Sequence, residues 1–255
     1  MADTEHAYLR IAAQIRDQIT SGDLHPGDKL PSLRQLTEQY DVSDVVIRRT
    51  LDVLRNEGLL ESRKGAGSFV RERPPIRRIS SARYRADFDP QPGTFATSFT
   101  RDQGITWEEY RLDKAFRWIE ADERLADLFG VETGTRVLER RFVFYAKGLP
   151  SQMSTSCLLA SDVEGTPVAD PKNEPWPGGN IGQLRTLGIE VDRRIPETVA
   201  TRMPTPEEAR LLRIGPGVPV FAITRRMLSG GRVVEVADPI VIPGDRAVLD
   251  YDIPL

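Results

Sequence analysis

Cysteine and histidine are nearly missing from this chain: among 255 residues there is one cysteine, Cys157, and two histidines, His6 and His25. One thiol cannot close an internal disulfide, and its rarity fits a reducing compartment such as the cytoplasm. Cys157 stands in the apolar-leaning run STSCLLA, where a buried small hydrophobe is expected rather than a reactive thiol. With His6 near the start and His25 in a Gly/Pro loop, neither a Ser-His-Asp triad nor a histidine metal site has its residues, so no metal and no cofactor is expected. Long apolar runs are lacking too. No stretch approaches the ~20 apolar residues that cross a bilayer, and the opening MADTEHAYLRIAAQIRDQ carries charges throughout, so no membrane partner and no secretion is expected. Acidic residues are plentiful, 38 in all, yet none sits in a motif that demands an acid, a base or a nucleophile. No catalytic residue is assigned, and an enzyme is not expected.

The composition, 39% apolar and 29% charged, supports a buried core under a wet surface, and the length exceeds one small module, so two unequal domains are expected. Net charge is −3, but its distribution matters more than its sum. Residues 48–78 carry nine Arg or Lys against four Asp or Glu. A surface for nucleic acid belongs there.

The local patterns agree. Tyr8, Ile11, Ala12, Ile15 and Ile19 recur at helical spacing before Gly22. After the loop DLHPGDKLP, Ser32 with Gln35 three residues on is a capping-box signature opening the short helix SLRQLTEQY. Ser43 is placed to cap a longer helix that ends near Gly58, with Ile47, Leu51 and Leu54 inward and Asp44, Arg48, Arg49, Asp52 and Arg55 outward. LLESRKGAGSFVRE then reads as two short strands around a glycine-rich turn. Helix, helix, turn, helix, wing is the order of a winged helix-turn-helix.

The strings GDKLPSLRQL, VSDVVIRRTLDVLRNEGLLE and KGAGSFV resemble the DNA-binding domain of the GntR family of regulators. That resemblance implies that Arg34, the Ser43–Arg49 stretch (Ser43, Asp44, Val45, Val46, Arg48 and Arg49), Lys64 of the wing tip and the wing glycines Gly65 and Gly67 meet DNA. One departure stands out: Ser-Asp-Val-Val-Ile-Arg replaces the family's usual Ser-Arg-Thr-Thr-Val-Arg. Asp44 then either accepts from a cytosine amino group, with Val45 or Val46 on a thymine methyl, or joins Arg48 and Asp52 in a surface ion-pair ladder.

The expected domains are 1–72, a linker at 73–100 rich in Pro, Arg, Ser and Gly, and 101–255. The linker arginines Arg73, Arg77 and Arg78 read as a solvated hinge or as extra phosphate contacts. Beyond Trp107 there is a weak internal duplication: Ala126 and Ala209, Gly134 and Gly217, Val137 and Val220, and Gly148 and Gly231 are each 83 positions apart. Each copy reads as helix, glycine turn, strand, tight turn, strand, and Thr205-Pro206-Glu207-Glu208 marks a helix start. Two such units predict an antiparallel sheet with helices on one side, hence an α+β chain.

ADERLADLFGVETGTRV, NIGQLRTLGIEV, TPEEARLLRIGPGVPVF and PGDRAVLDYDI resemble the UTRA effector domain of the HutC subfamily of GntR regulators, which has a chorismate-lyase-like fold. The resemblance implies a small-molecule effector, a homodimer and an inverted-repeat operator in double-stranded DNA. It places Arg141, Ser154 and Glu235 at effector positions, where relatives that sense phosphorylated sugars carry an arginine and two glutamates. Ser154 stands where an acid would be and Ile242 where a tyrosine would be, which lowers the expectation of a phosphorylated sugar and favours a less polar or carboxylate-bearing ligand held by Arg141. Strand-surface charges remain the alternative for Arg141 and Glu235. A repressor released by its effector is the expected function, and a constitutive repressor whose second domain only dimerises is the alternative.

Overall fold

The computed structural model describes residues 2–63, 65–71, 77–80 and 97–251. It divides into two compact units, Met1–Pro75 with Ile214–Pro219, and Ile76–Arg213 with Val220–Leu255.

The first unit contains α1 (Ala2–Ser21), α2 (Leu33–Tyr40), α3 (Asp44–Asn56) and an antiparallel hairpin of β1 (Leu60–Arg63) and β2 (Gly67–Val70). Its core is one cluster to which every element contributes, including Ile11 and Ile15 of α1, Leu36 of α2, Ile47, Leu51 and Leu54 of α3, Leu60 of β1 and Val70 of β2. Ser32 opens α2 with both bonds of the capping box in place, satisfying N–H groups that the first turn leaves without partners. Asp41 closes α2 at φ 50°, a left-handed conformation that Asp tolerates, and this turns the chain into α3 within three residues. Ser43 precedes α3 with extended backbone, but its side chain makes no capping bond.

The second unit is built on a six-stranded antiparallel sheet. Along the chain come β3 (Arg77–Ser80), α4 (Ser98–Gln103), β4 (Tyr110–Glu120), α5 (Glu123–Phe129), β5 (Arg136–Ala146), β6 (Leu149–Leu159) and α6 (Ala160–Val163). Two short 3₁₀ turns lead to α7 (Gly179–Thr186), β7 (Glu197–Arg202), α8 (Pro206–Leu211), β8 (Val220–Ser229), β9 (Arg232–Pro243) and β10 (Ala247–Asp250). The sheet order is β4-β5-β6-β9-β8-β7, and β10 pairs in parallel with β3. The duplication is visible as α5-β5-β6 and α8-β8-β9. Its hairpins turn at Lys147-Gly148 and Gly230-Gly231, where all four residues have positive φ, the geometry whose twist matches paired strands. Thr205 caps α8, and Glu208 returns the bond to the Thr205 N–H at 2.8 Å.

Helices cover both faces of this sheet, not one. Val137 of β5 packs with Ala126 and Phe129 of α5, whereas its neighbour Leu138 packs with Val163 of α6 and Leu184 of α7. Successive strand residues point to opposite faces, so two adjacent buried apolar residues require cover on both. The duplicated helices α5 and α8 do share a side: Arg141, of the same parity as Val137, reaches Glu207 of α8 at 3.3 Å. β3 lies within the span read as linker, where local pattern gives no strand signal; its partner β10 is far away in the sequence.

Candidate nucleic-acid interface and ligand site

In the first unit, the helical phase of α3 decides which residues are presented. Val46, Ile47, Thr50, Leu51 and Leu54 are buried, and the opposite face leaves Ser43, Asp44, Val45, Arg48 and Arg49 exposed. Val45 is 71% exposed, a large apolar side chain in water, while Val46 at 4% belongs to the core. Of the two valines expected near a thymine methyl, only Val45 is on the surface. The Asp44–Arg48–Asp52 ladder does not form: Asp52 instead pairs with Arg55 at 2.6 Å, and Arg55 also donates to Ser68 Oγ of β2 at 3.2 Å, tying α3 to the wing. Arg49 stacks over the Tyr8 ring of α1 at 4.2 Å, a contact that fixes its direction. Arg34 is exposed on α2 with Glu38 at 3.7 Å.

The start of α2, α3 and the wing enclose a groove of about 470 Å³ whose lining includes Lys29, Arg48, Gly65 and Gly67. Both glycines have positive φ, +74° and +113°. Lys29 is held there by a bridge to Phe69 of β2, with its Cε 3.4 Å from where a Cβ on Gly67 would stand. By sequence Lys29 is only one residue of a connecting loop; its placement depends on the bridge to β2, which no local pattern announces. Lys64 lies outside the described residues, as does Arg73, and for Arg77 and Arg78 only the backbone is described.

In the second unit, buried ionic groups gather on the sheet face covered by α7. Arg140 of β5 is fully buried and donates to Gln183 Oε1 at 2.6 Å, Ser156 Oγ at 2.7 Å and Asn180 Oδ1 at 3.4 Å. Glu235 of β9, also fully buried, accepts at Oε1 from Ser156 Oγ (2.7 Å), Asn180 Nδ2 (2.8 Å) and Arg225 Nη2 (2.9 Å). Glu174 lies 3.9 Å from Arg140 and accepts from Gln183 Nε2 at 2.6 Å. Burial lowers the Arg140 pKa, opposed by the nearby Glu174 and Glu235 carboxylates. Among the described residues, Glu235 Oε2 and Arg140 Nε, both buried, have no hydrogen-bond partner. Such atoms are costly to leave unpaired and mark where a ligand atom would be welcome.

The three residues expected for an effector are not all brought together. β5 and β6 pair with Phe142 opposite Ser154 and Arg140 opposite Ser156, so Ser154, buried at 8% exposure, shares the face of Arg140 and Ser156, which bonds Glu235. Arg141 points to the other face, exposed and paired with Glu207. The inward arginine is its neighbour, Arg140. Ile242 is buried, and Arg246 is held by the backbone carbonyls of Pro150, Leu212 and Arg213 at 2.5 to 3.1 Å. Cys157, beside Ser156 but of opposite parity, packs with α5, and burial pushes its thiol pKa up to about 12.

Residues 7–70 match the model of the family described as bacterial regulatory proteins of the gntR family, and residues 115–247 match the UTRA domain. An uncharacterised HTH-type transcriptional regulator of Streptomyces coelicolor is 30% identical over 99% of this chain and 94% of its own length. The histidine utilization repressor of Klebsiella aerogenes is 27% identical over 94% and 91%. A crystal structure of a GntR-family transcriptional regulator superimposes with a TM-score of 0.65 at 32% identity, covering 98% of each chain. With both the recognition-helix unit and the sheet unit accounted for, in this order, the chain belongs to the GntR family of bacterial transcriptional regulators and carries a C-terminal UTRA domain.

Proposed function

We propose that the protein is a cytoplasmic repressor that binds an inverted-repeat operator as a homodimer and is released by a small molecule held in its UTRA domain. The observation that carries the DNA half is the exposed face of α3: Ser43 without a capping bond, Val45 bare to solvent, and Arg48 beside the groove that Lys29 and the wing glycines line. One such helix reads only a few base pairs, which makes a twofold operator the economical solution. For the effector, the buried cluster of Arg140, Ser154, Ser156 and Glu235 is the site of choice, and Arg141 stays outside it. Arg140 and Arg225 balance Glu174 and Glu235 in charge, leaving this cluster no surplus cation for a phosphate dianion, so the ligand class is a less polar molecule.

Asp44 reads a base in this proposal. Asp44→Ala is expected to change the base preferred at one position of each half-site, measured by selection from a randomised operator, whereas unchanged preference would return Asp44 to a passive surface role. Arg48→Ala is expected to cost about 1–3 kcal/mol of binding. The overall reading is tested by gel shift on DNA upstream of the protein's own gene, followed by thermal-shift screening for compounds that release it. With an effector in hand, Arg141→Ala should release DNA at the parent's ligand concentration. A large rise in that concentration would place Arg141 in the site and remove the assignment to Arg140.

A further inference from the structure

The buried ionic cluster of the second unit borders a wall of aromatic rings. On the sheet face of Arg140, the next two side chains along β5 are Phe142 and Phe144, and Phe116 of β4 stands opposite Arg140. The rings touch in a chain. Phe116 meets Phe142 edge-on with centroids 5.7 Å apart, Phe142 meets Phe144 at 5.9 Å, and Phe144 meets Phe99 of α4 at 5.1 Å. The Arg140 guanidinium lies 5.9 Å from the Phe116 ring centre and 5.6 Å from that of Phe142, which puts it at the border between rings and charges. Phe99 and Phe142 are buried, whereas Phe116 and Phe144 are half-buried.

The polar side of this border holds groups without partners. Ser154 of β6 stands directly opposite Phe142 and is 8% exposed, yet among the described residues its hydroxyl makes no hydrogen bond. Glu235 Oε2 and Arg140 Nε are the two buried atoms already noted as unpaired. A carboxylate oxygen accepts, an Nε–H donates and a hydroxyl does both, so a ligand group that serves them carries a donor and an acceptor together. Charge narrows the class further. Arg140 and Arg225 are matched by Glu174 and Glu235, and the Lys114 ammonium, opposite Phe142 on β4, donates to the Glu174 backbone carbonyl. Burying a further ion here costs far more than burying a neutral group whose hydrogen bonds are all made. The rings, for their part, favour a flat partner, offset-stacked or edge-on.

We propose that the ligand of this site is an uncharged aromatic molecule whose substituent bears both a donor and an acceptor, as a carboxamide does, with its ring against Phe116, Phe142 and Phe144 and its polar end at Ser154. This rests on the effector reading above and adds the chemical class and the orientation.

Three probes separate the parts of the proposal. Naphthamide has the flat ring and the amide, naphthoate exchanges the amide for a carboxylate, and decahydronaphthamide keeps the amide on a saturated ring. In equilibrium dialysis against the full chain, naphthamide should bind at least about tenfold more tightly than either analogue. Ser154→Ala should weaken naphthamide by about threefold to tenfold, the worth of one hydrogen bond, and leave the melting temperature of the free protein unchanged, because the hydroxyl serves no partner inside the chain. Phe116→Leu, at a half-buried position, should narrow the preference for the flat ring over the saturated one. Naphthoate binding as tightly as naphthamide overturns the uncharged class, and equal binding of decahydronaphthamide overturns the ring wall. Failure of all three to bind, or a Ser154→Ala variant that binds like the parent, overturns the site. Naphthamide that binds through Ser154 but leaves operator affinity unchanged keeps this site and overturns release by its occupant, so the two readings fail separately.

Discussion

Raising monovalent salt from 50 to 200 mM is expected to weaken operator binding by roughly 10³- to 10⁵-fold, the loss associated with neutralising about six to ten phosphates. That range follows from the charges on the first unit. Lys29, Arg34, Arg48 and Arg49 lie on or beside the presented face, four per copy and so eight in a homodimer. Each phosphate they neutralise releases condensed counterions, and the entropy of that release falls as bulk salt rises. Two of the four have competing partners, Glu38 for Arg34 and the Tyr8 ring for Arg49, so their share is smaller than that of Lys29 and Arg48. Lys29→Ala should therefore flatten the salt slope by about one unit per copy without changing which operator is preferred. Gel-shift or anisotropy titrations at four salt concentrations measure the slope; a flat line would remove the assignment of this face to DNA.

Glu235→Ala is expected to destabilise the second unit by about 3–5 kcal/mol, because removing one carboxylate from a buried ionic network leaves the positive charge of the network incompletely compensated. Arg225 would lose its bond to Glu235 Oε1, and the Ser156 hydroxyl and the Asn180 amide would lose their acceptor. For a unit of this size the melting temperature should fall by roughly 6–20 °C. Glu235→Gln keeps an acceptor at the same place and should cost less, so the difference between the two variants isolates the missing bonds from the missing charge. Calorimetry on the full chain gives the answer, and a loss below about 1 kcal/mol for the alanine variant would mean that water reaches the cluster freely.

Much of the first unit is legible in its residues because its signals are local. The capping box at Ser32 and Gln35 needs four consecutive positions, and both of its bonds are present. The inward stripe of α3 at Ile47, Leu51 and Leu54 is widened by Val46 and Thr50, which lie four apart on the row that ends at Leu54, so attention to phase alone separates Val45 from Val46. The second unit is legible at the level of its repeated helix and hairpin, because the 83-residue offset is a property of the chain itself. Its ligand site is not. Arg140 and Arg141 are neighbours of one type on one strand, and only the pairing of β5 with β6 and the cover of α7 decide which turns inward. Likewise Ser43 has the residue type of a helix cap without making the bond, and β3 has no signal of its own because parallel pairing with β10 creates it.

The burial of the only cysteine gives the molecule a built-in reporter. Cys157 sits in β6, a strand with neighbours on both sides, and its sulfur is closed off by α5. A thiol reagent in solution can reach it only when the sheet parts. Because the rest of the chain has no sulfhydryl to compete, the rate of labelling under native conditions counts openings of the sheet directly. Any compound that slows this rate is bound to the closed form, so effectors can be sought with the protein alone, before its operator has been found.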